Sequence, residues 1–279
     1  MTDDKSVAII GLGWLGLQLA EALLARGCVV KGSTTTAEKA AQLTSQGIGA
    51  QVLRLDPAPT TDPMDLLTAD IIIINIPPKA GQQGNAFHPQ QIGHLVDAIR
   101  KGPARHIVYV SSTSVYPERP EPMALSVEED VQMPEQSAAP ALVEAEQHVL
   151  TLAPERLVTV LRCGGLMGYG RIPGKYVAGK TIDTGPVPVN YIYRDDVVGL
   201  LLAILEQKRY GTFNAVAPEH PIREAIYRRS CADFGYELPT FVSADKPLTY
   251  KVISPEKLIK ATGYNFLYPN PLEFPYSQS

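Results

Sequence analysis

Residues 7–10 are a short apolar run that leads straight into Gly11-Leu-Gly13-Trp-Leu-Gly16. From residue 14 to 26 the apolar positions return with helical spacing. Leu15, Leu19 and Leu23 fall on one face, and Gly27 is placed to end the helix. A strand feeding a glycine turn that opens a helix is half of a β-α-β unit, and the rest of the chain repeats it. Residues 28–32, 50–55, 70–76, 106–111, 157–162 and 212–216 read as further strands. Helical patterns cover 37–46, 89–100, 141–152, 197–207 and 222–234. The four consecutive isoleucines before Asn75 suit a central strand buried on both faces.

This alternation predicts an α/β fold, a doubly wound parallel sheet with helices on both faces and a small interleaved C-terminal lobe. Residues 1–164 and 190–216 are expected to build the sheet domain, and 165–189 and 217–279 the lobe over its cleft. Residues 117–140 hold five prolines and many acids and read as a long surface loop. Residues 164–188 are rich in glycine and proline and look like a loop lining a site. Asp195 reads as the N-cap of the helix that follows it.

Composition excludes several classes. At 279 residues and 45% hydrophobic, the chain can bury a large core without staples. With 25 basic and 29 acidic residues, scattered, it has no electrostatic footprint for nucleic acid or for an anionic membrane. Three widely spaced cysteines without Cys-x-x-Cys argue against a disulfide framework or a structural zinc, and suit reduced thiols in a cytoplasmic protein. No run reaches the roughly 18 apolar residues of a membrane span. Residues 7–25 do not read as a signal peptide, because Asp3, Asp4, Glu21 and three glycines interrupt the pattern. His88 and His94 lack metal-ligand spacing, and Glu144 with His148 reads as a solvated pair, so no metal site is expected.

In the context of strand and helix, the Gly-x-Gly-x-x-Gly spacing points to a dinucleotide. Gly11 allows the tight turn, Gly13 lets the backbone approach a pyrophosphate, and Gly16 lets the helix sit close to the sheet. The helix N-terminus, through the N–H groups of Trp14 and Leu15, offers partial positive charge to the phosphates. An NAD site usually carries an acid at the end of the second strand to hold the ribose 2′-OH. Here that stretch reads Gly32-Ser33-Thr34-Thr35-Thr36, with no acid before Glu38. Hydroxyls and N–H groups can receive a 2′-phosphate, so NADP is expected over NAD, although the arginine that often accompanies it is not in the stretch. Asp56 could accept from the adenine amino group or could simply be a turn residue before Pro57. Ile76, Pro77 and Ser111, at the ends of the next two strands, complete the expected cofactor wall.

Further motifs carry a family resemblance. Val108-Tyr-Val-Ser-Ser-Thr-Ser-Val-Tyr116 resembles the Ser-Ser-x-x-Val-Tyr segment of the extended short-chain dehydrogenase/reductases, the NAD-dependent epimerase/dehydratase family. Leu161-Arg162 with Gly168-Tyr169-Gly170, Asn190-Tyr-Ile-Tyr-Arg-Asp-Asp196-Val, Phe213-Asn214 and Gly263-Tyr264 also fit. The opening glycine turn is similar to that of an atypical, YeeZ-like subgroup. The resemblance implies a nicotinamide cofactor and a homodimer through helices 89–100 and 141–152. It also implies a Tyr-x-x-x-Lys acid/base pair working with a Ser or Thr. Here the usual Tyr and Lys positions hold Ala138 and Leu142. No Tyr lies between Tyr116 and Tyr169 and no Lys between Lys101 and Lys175, so no shift of register restores the pair. Tyr176 and Lys180 match by letter, but in a segment broken by Pro173, Gly174 and Gly179. Ser112 occupies the family's Ser/Thr position, and Ser112 with Tyr116 is the pair expected to carry any chemistry. Tyr169, Tyr191 and Tyr193 are alternative proton donors.

Two readings stay open. One is an atypical oxidoreductase or epimerase-like enzyme acting on a small substrate. The other is a non-catalytic protein that senses NADP(H). A hydroxyacid-type dehydrogenase is disfavoured, because such proteins continue into a long all-helical domain.

Overall fold

The computed structural model describes residues 5–78, 83–120 and 125–278. The first half runs β1 (Ser6–Ile10), α1 (Trp14–Leu24), β2 (Val29–Thr34), α2 (Ala37–Ser45), β3 (Gly49–Val52), β4 (Leu55–Asp56), β5 (Ala58–Pro59), α3 (Met64–Leu67), β6 (Ile71–Ile74), α4 (Phe87–Arg100) and β7 (His106–Ser112). The second half runs α5 (Pro140–Leu150), β8 (Leu157–Cys163), β9 (Gly165–Met167), α6 (Pro173–Val177), β10 (Thr181–Ile182), β11 (Tyr191–Tyr193), α7 (Arg194–Gln207), β12 (Gly211–Ala215), α8 (Arg223–Phe234), β13 (Thr240–Phe241) and α9 (Glu256–Thr262).

The seven-stranded sheet has the order β12-β8-β7-β6-β1-β2-β3, parallel throughout. The chain builds outward from β1 to β3, then crosses back to add β6 and its successors on the other side of β1. The strand order therefore reverses between β1 and β6, and a crevice opens there at the carboxyl ends of the strands. The isoleucines of β6 alternate between two cores. Ile71 and Ile73 pack with the apolar faces of α1 and α7, while Ile72 and Ile74 pack with α4 and α5. The period of two along each strand thus fixes which side chains meet which helix layer. Smaller parallel pairs, β9 with β11 and β10 with β13, lie beyond the main sheet.

Three local expectations need correction. The third strand ends at Val52, and Leu55–Pro59 folds into a small antiparallel hairpin. The helix expected from Asp195 begins at Arg194 with Tyr193 as N-cap. Asp196 is the buried acid, accepting from the N–H groups of Leu267 and Tyr268 and from the Tyr264 hydroxyl. The stretch after Tyr116 is not simply a surface loop. Ser126, Glu128 and Val131 are buried, and isolated bridges join Arg119 to Tyr250 and Ser126 to Ile253.

At the amino edge of the sheet, a cavity of about 620 Å³ is lined by Lys5, Asp70, Arg105, His106, Arg156 and Lys208 among others. His106 is buried, with Nε2 3.1 Å from the Thr159 hydroxyl oxygen. That hydroxyl donates to the Arg209 carbonyl at 2.7 Å, so Nε2 carries the proton of this contact. Burial lowers the His106 pKa from 6.5 to about 4. Between those values the unfolded chain takes up a proton that the folded chain refuses. Stability should therefore fall as pH drops through this window, by at most about 3 kcal/mol from this group. Replacing His106 with Gln should flatten that part of the profile. Urea midpoints at pH 7.5 and 4.5 that shift equally in both proteins would exclude this role.

Candidate functional site

The crevice between β1 and β6 is a cavity of about 590 Å³. Its floor is the glycine turn. Gly11 has φ +108°, and any Cβ there would run into the Asn75 carbonyl. A Cβ at Gly16 would meet the Gly11 carbonyl and the Asn75 amide, which itself donates to the Gly11 carbonyl at 3.0 Å. Gly13 differs, with φ −87° and, among the described residues, no atom within 4 Å of where its Cβ would stand. Its smallness keeps space open in the cleft and is not required by the backbone.

Gly13 is the N-cap of α1 but offers no side-chain cap, and Leu17 is the first residue whose N–H bonds back, to the Gly13 carbonyl. The N–H groups of Trp14, Leu15 and Gly16 have no acceptor among the described residues and are placed for a ligand, on the positive end of the helix. Open space, unpaired N–H groups and helix polarity together fit a pyrophosphate.

The expected wall residues divide into several roles. Thr34, Thr35, Asp56, Ile76 and Pro77 line the crevice. Ser33 also lines it, but its hydroxyl oxygen accepts from the Gly11 N–H at 3.0 Å, and its carbonyl accepts from Leu12 at 2.7 Å. It is chiefly a brace for the turn. Leu15 turns its side chain into the core. Trp14 sends its indole N–H to the Tyr169 carbonyl at 3.0 Å, under the Arg171 guanidinium. Both therefore offer the crevice their backbone.

Ser111 is turned away from the crevice. Its hydroxyl donates to Glu146 at 2.6 Å inside the α5 layer, because odd positions of β7 face that side. Sequence reasoning missed Lys39, Arg54, Asn75 and Gln91, all of which line the crevice. Lys39 Nζ reaches the Leu12 carbonyl at 2.8 Å, and Arg54 Nε reaches the Thr35 carbonyl at 2.9 Å. The basic groups absent from the Ser33–Thr36 stretch are thus brought to it by α2 and by the segment after β3. Gln91 donates to the Leu55 carbonyl at 2.7 Å, while its buried Oε1 meets no donor at hydrogen-bond geometry among the described residues.

At the carboxyl end of β7, Ser112 caps a short 3-10 turn. It accepts from the Ser114 N–H at 3.1 Å and donates to the Ser114 hydroxyl at 3.0 Å. Tyr116 does not face the cleft. It is 0% exposed, accepts from Arg162 at 2.9 Å and donates to Asn214 at 2.7 Å. Burial pushes its pKa up to about 12. With its proton and lone pair both committed, its hydroxyl is part of the frame and not a ready proton donor.

Tyr169 gives its hydroxyl to Asp195 at 2.6 Å under the Arg194 guanidinium, and Tyr193 gives its own to the Pro275 carbonyl at 2.8 Å. Tyr176 is 53% exposed on α6. Ala138 is exposed just before α5, and Leu142 is buried in a cluster with Val115 and Tyr116.

Arg162 is the hub behind this edge. Its guanidinium bonds both Glu146 oxygens, the Tyr116 hydroxyl and the carbonyls of Glu128 and Val131. The ion pair closes at 2.7 Å with both side chains at most 3% exposed. Glu128 extends the network by accepting from the Asn214 N–H at 2.7 Å.

A parallel sheet with a switch-point crevice, floored by an uncapped glycine turn, defines a Rossmann-type dinucleotide-binding protein. A protein-family model described as NAD(P)H-binding matches residues 11–208, and the chain belongs to that family. It is 34% identical over 275 residues to protein YeeZ of Escherichia coli strain K12, covering 97% of this chain and 99% of that one. Its fold matches UDP-glucuronic acid 4-epimerase from Bacillus cereus, solved with UDP-glucuronic acid and NAD, with TM-score 0.76, 19% identity and 98% of each chain covered. A short-chain dehydrogenase/reductase superfamily protein from Agrobacterium tumefaciens with bound NAD matches with TM-score 0.74 and 16% identity, covering 94% of this chain and 93% of that one. Among the described residues, no helix is long and apolar enough to cross a membrane.

Proposed function

We propose that the protein binds NADP(H) in preference to NAD(H) and acts as an atypical oxidoreductase on a small substrate at the carboxyl end of β7. The observation that carries the cofactor choice is that Lys39 and Arg54 line the crevice together with Thr34–Thr36, where a 2′-phosphate would lie. Neither cation has a carboxylate partner among the described residues. Asp56 and Gln91 Oε1 are the acceptors for an adenine amino group.

When bound, the nicotinamide supplies hydride transfer. This chain holds the diphosphate on α1 and presents the linked hydroxyls of Ser112 and Ser114 at the reacting edge. Two copies pairing through the outer faces of α4 and α5 complete the reading, and light scattering tests that pairing.

Calorimetry with both cofactors tests the cofactor choice. NADPH should bind more tightly than NADH. Arg54→Ala and Lys39→Ala should each weaken NADPH about 10- to 100-fold, the worth of a hydrogen bond to a charged group, and leave NADH nearly unchanged. Equal affinities in the unmodified protein would overturn the preference.

A second reading, a non-catalytic NADP(H) sensor, is favoured by one observation. Where the resemblance expects the Tyr-x-x-x-Lys pair, an exposed Ala138 and a buried Leu142 leave no ionisable group. Tight NADPH binding with no oxidation across a broad substrate screen would select it.

A further inference from the structure

Beside the turn that leaves β7 lies a separate cavity of about 230 Å³. Its wall is made by Ser114, Glu118, the stretch from Val187 to Tyr191, Arg223 and Tyr227 of α8, and Tyr250 with Lys251. Arg223 and Tyr227 are four residues apart on one helix, so one face of α8 supplies both. The Arg223 guanidinium makes no side-chain hydrogen bond or ion pair among the described residues, although the residue is half-buried. Lys251 Nζ donates to the Tyr116 carbonyl at 2.7 Å, which leaves two of its three N–H groups for the cavity. Ser114 receives a hydrogen bond from Ser112 and keeps its own proton to donate. Glu118 is the carboxylate of this wall, against two cations.

A cavity lined by a guanidinium, an ammonium and several hydroxyls presents donors in excess of acceptors. The ligand that matches is an acceptor with negative charge. The volume falls below the roughly 300–1,000 Å³ of clefts that take drug-sized ligands, so a nucleotide sugar is too large for it.

We propose that this cavity binds the oxyanion group of a small substrate, a carboxylate or phosphate gripped between Arg223 and Lys251, with the rest of the molecule directed toward the Ser112–Ser114 hydroxyls. The substrate class so named rests on the reading of the β7 edge as a reaction site. The anion site itself stands on the cavity alone.

The test is calorimetric titration of the protein, with and without saturating NADPH, at constant ionic strength. The probes are oxalate, inorganic phosphate and the uncharged oxalate analogue oxamide. At least one of the two anions should bind, and oxamide should not. Arg223→Leu and Lys251→Met should each weaken the anion about 10- to 100-fold while NADPH affinity stays the same. Because Arg223 makes no internal hydrogen bond with its side chain, its variant should melt like the parent, and it decides the question should Lys251→Met fail to fold. No binding of either anion, or equal binding by the parent and Arg223→Leu, would overturn the proposal. Failure of NADPH to bind while the anion does would instead remove the cofactor reading and leave the anion site standing.

Discussion

Gly13→Asp should abolish dinucleotide binding and leave the fold intact. The backbone at Gly13 is one that any residue can adopt, and its Cβ direction meets none of the described residues, so the new side chain strains none of them. The carboxylate then stands at the mouth of the α1 N–H groups, where the diphosphate must come. Two like charges about 4 Å apart in a partly wetted site repel by about 4 kcal/mol, or roughly three orders of magnitude in affinity. Fluorescence titration with NADPH measures the loss, and a melting curve checks the fold. Binding within ten-fold of the parent would mean that the cofactor does not lie on this turn. Gly11 and Gly16 behave differently. Side chains there collide with backbone carbonyls, so their variants lose the fold along with the site.

Glu146→Leu and Arg162→Met should each destabilise the protein by about 3–5 kcal/mol, because either leaves a buried charge without its partner. For a chain of this size the melting temperature should fall by about 5–9 °C. The double variant recovers part of the loss, since no lone charge remains. Arg162→Met has a second consequence. The carbonyls of Glu128 and Val131 lose their donor, so the segment they belong to loosens from β8. Calorimetric melting of the three variants distinguishes these outcomes. Single variants that melt within about 2 °C of the parent would show that the pair contributes nothing net.

The sheet was legible from residue pattern because parallel strands are local apolar runs separated by amphipathic helices, and all seven were placed with small errors at the ends. The glycine turn was legible for the same reason, since strand, turn and helix are contiguous. What local pattern could not show was which side chains meet across the fold. Tyr116 and Asn214 are 98 positions apart, and only the tertiary fold turns the tyrosine inward. Ser111 and Ser112 look equivalent in sequence, yet the strand's period of two sends one to Glu146 and leaves the other to cap the turn at Ser114. That signal was available once Tyr109 was assigned to the α4 side. Arg54 read as part of a strand. It became a candidate ligand only because the chain leaves the sheet at Val52 and folds back over Thr35.

All strands of the sheet point the same way, so the molecule has two chemically distinct ends. The dinucleotide crevice and the Arg223–Lys251 cavity open at the carboxyl edge, while His106 and its ring of lysines and arginines open at the amino edge. Strands of four to seven residues hold the two edges about 13–23 Å apart at ~3.3 Å per residue, well beyond the Debye length of about 8 Å at physiological ionic strength. Solvent-exposed charges altered at the amino edge are therefore largely screened from the crevice. The amines of Lys5 and Lys208 are natural handles for tethering the protein to a surface or a dye, with its working end left facing solution.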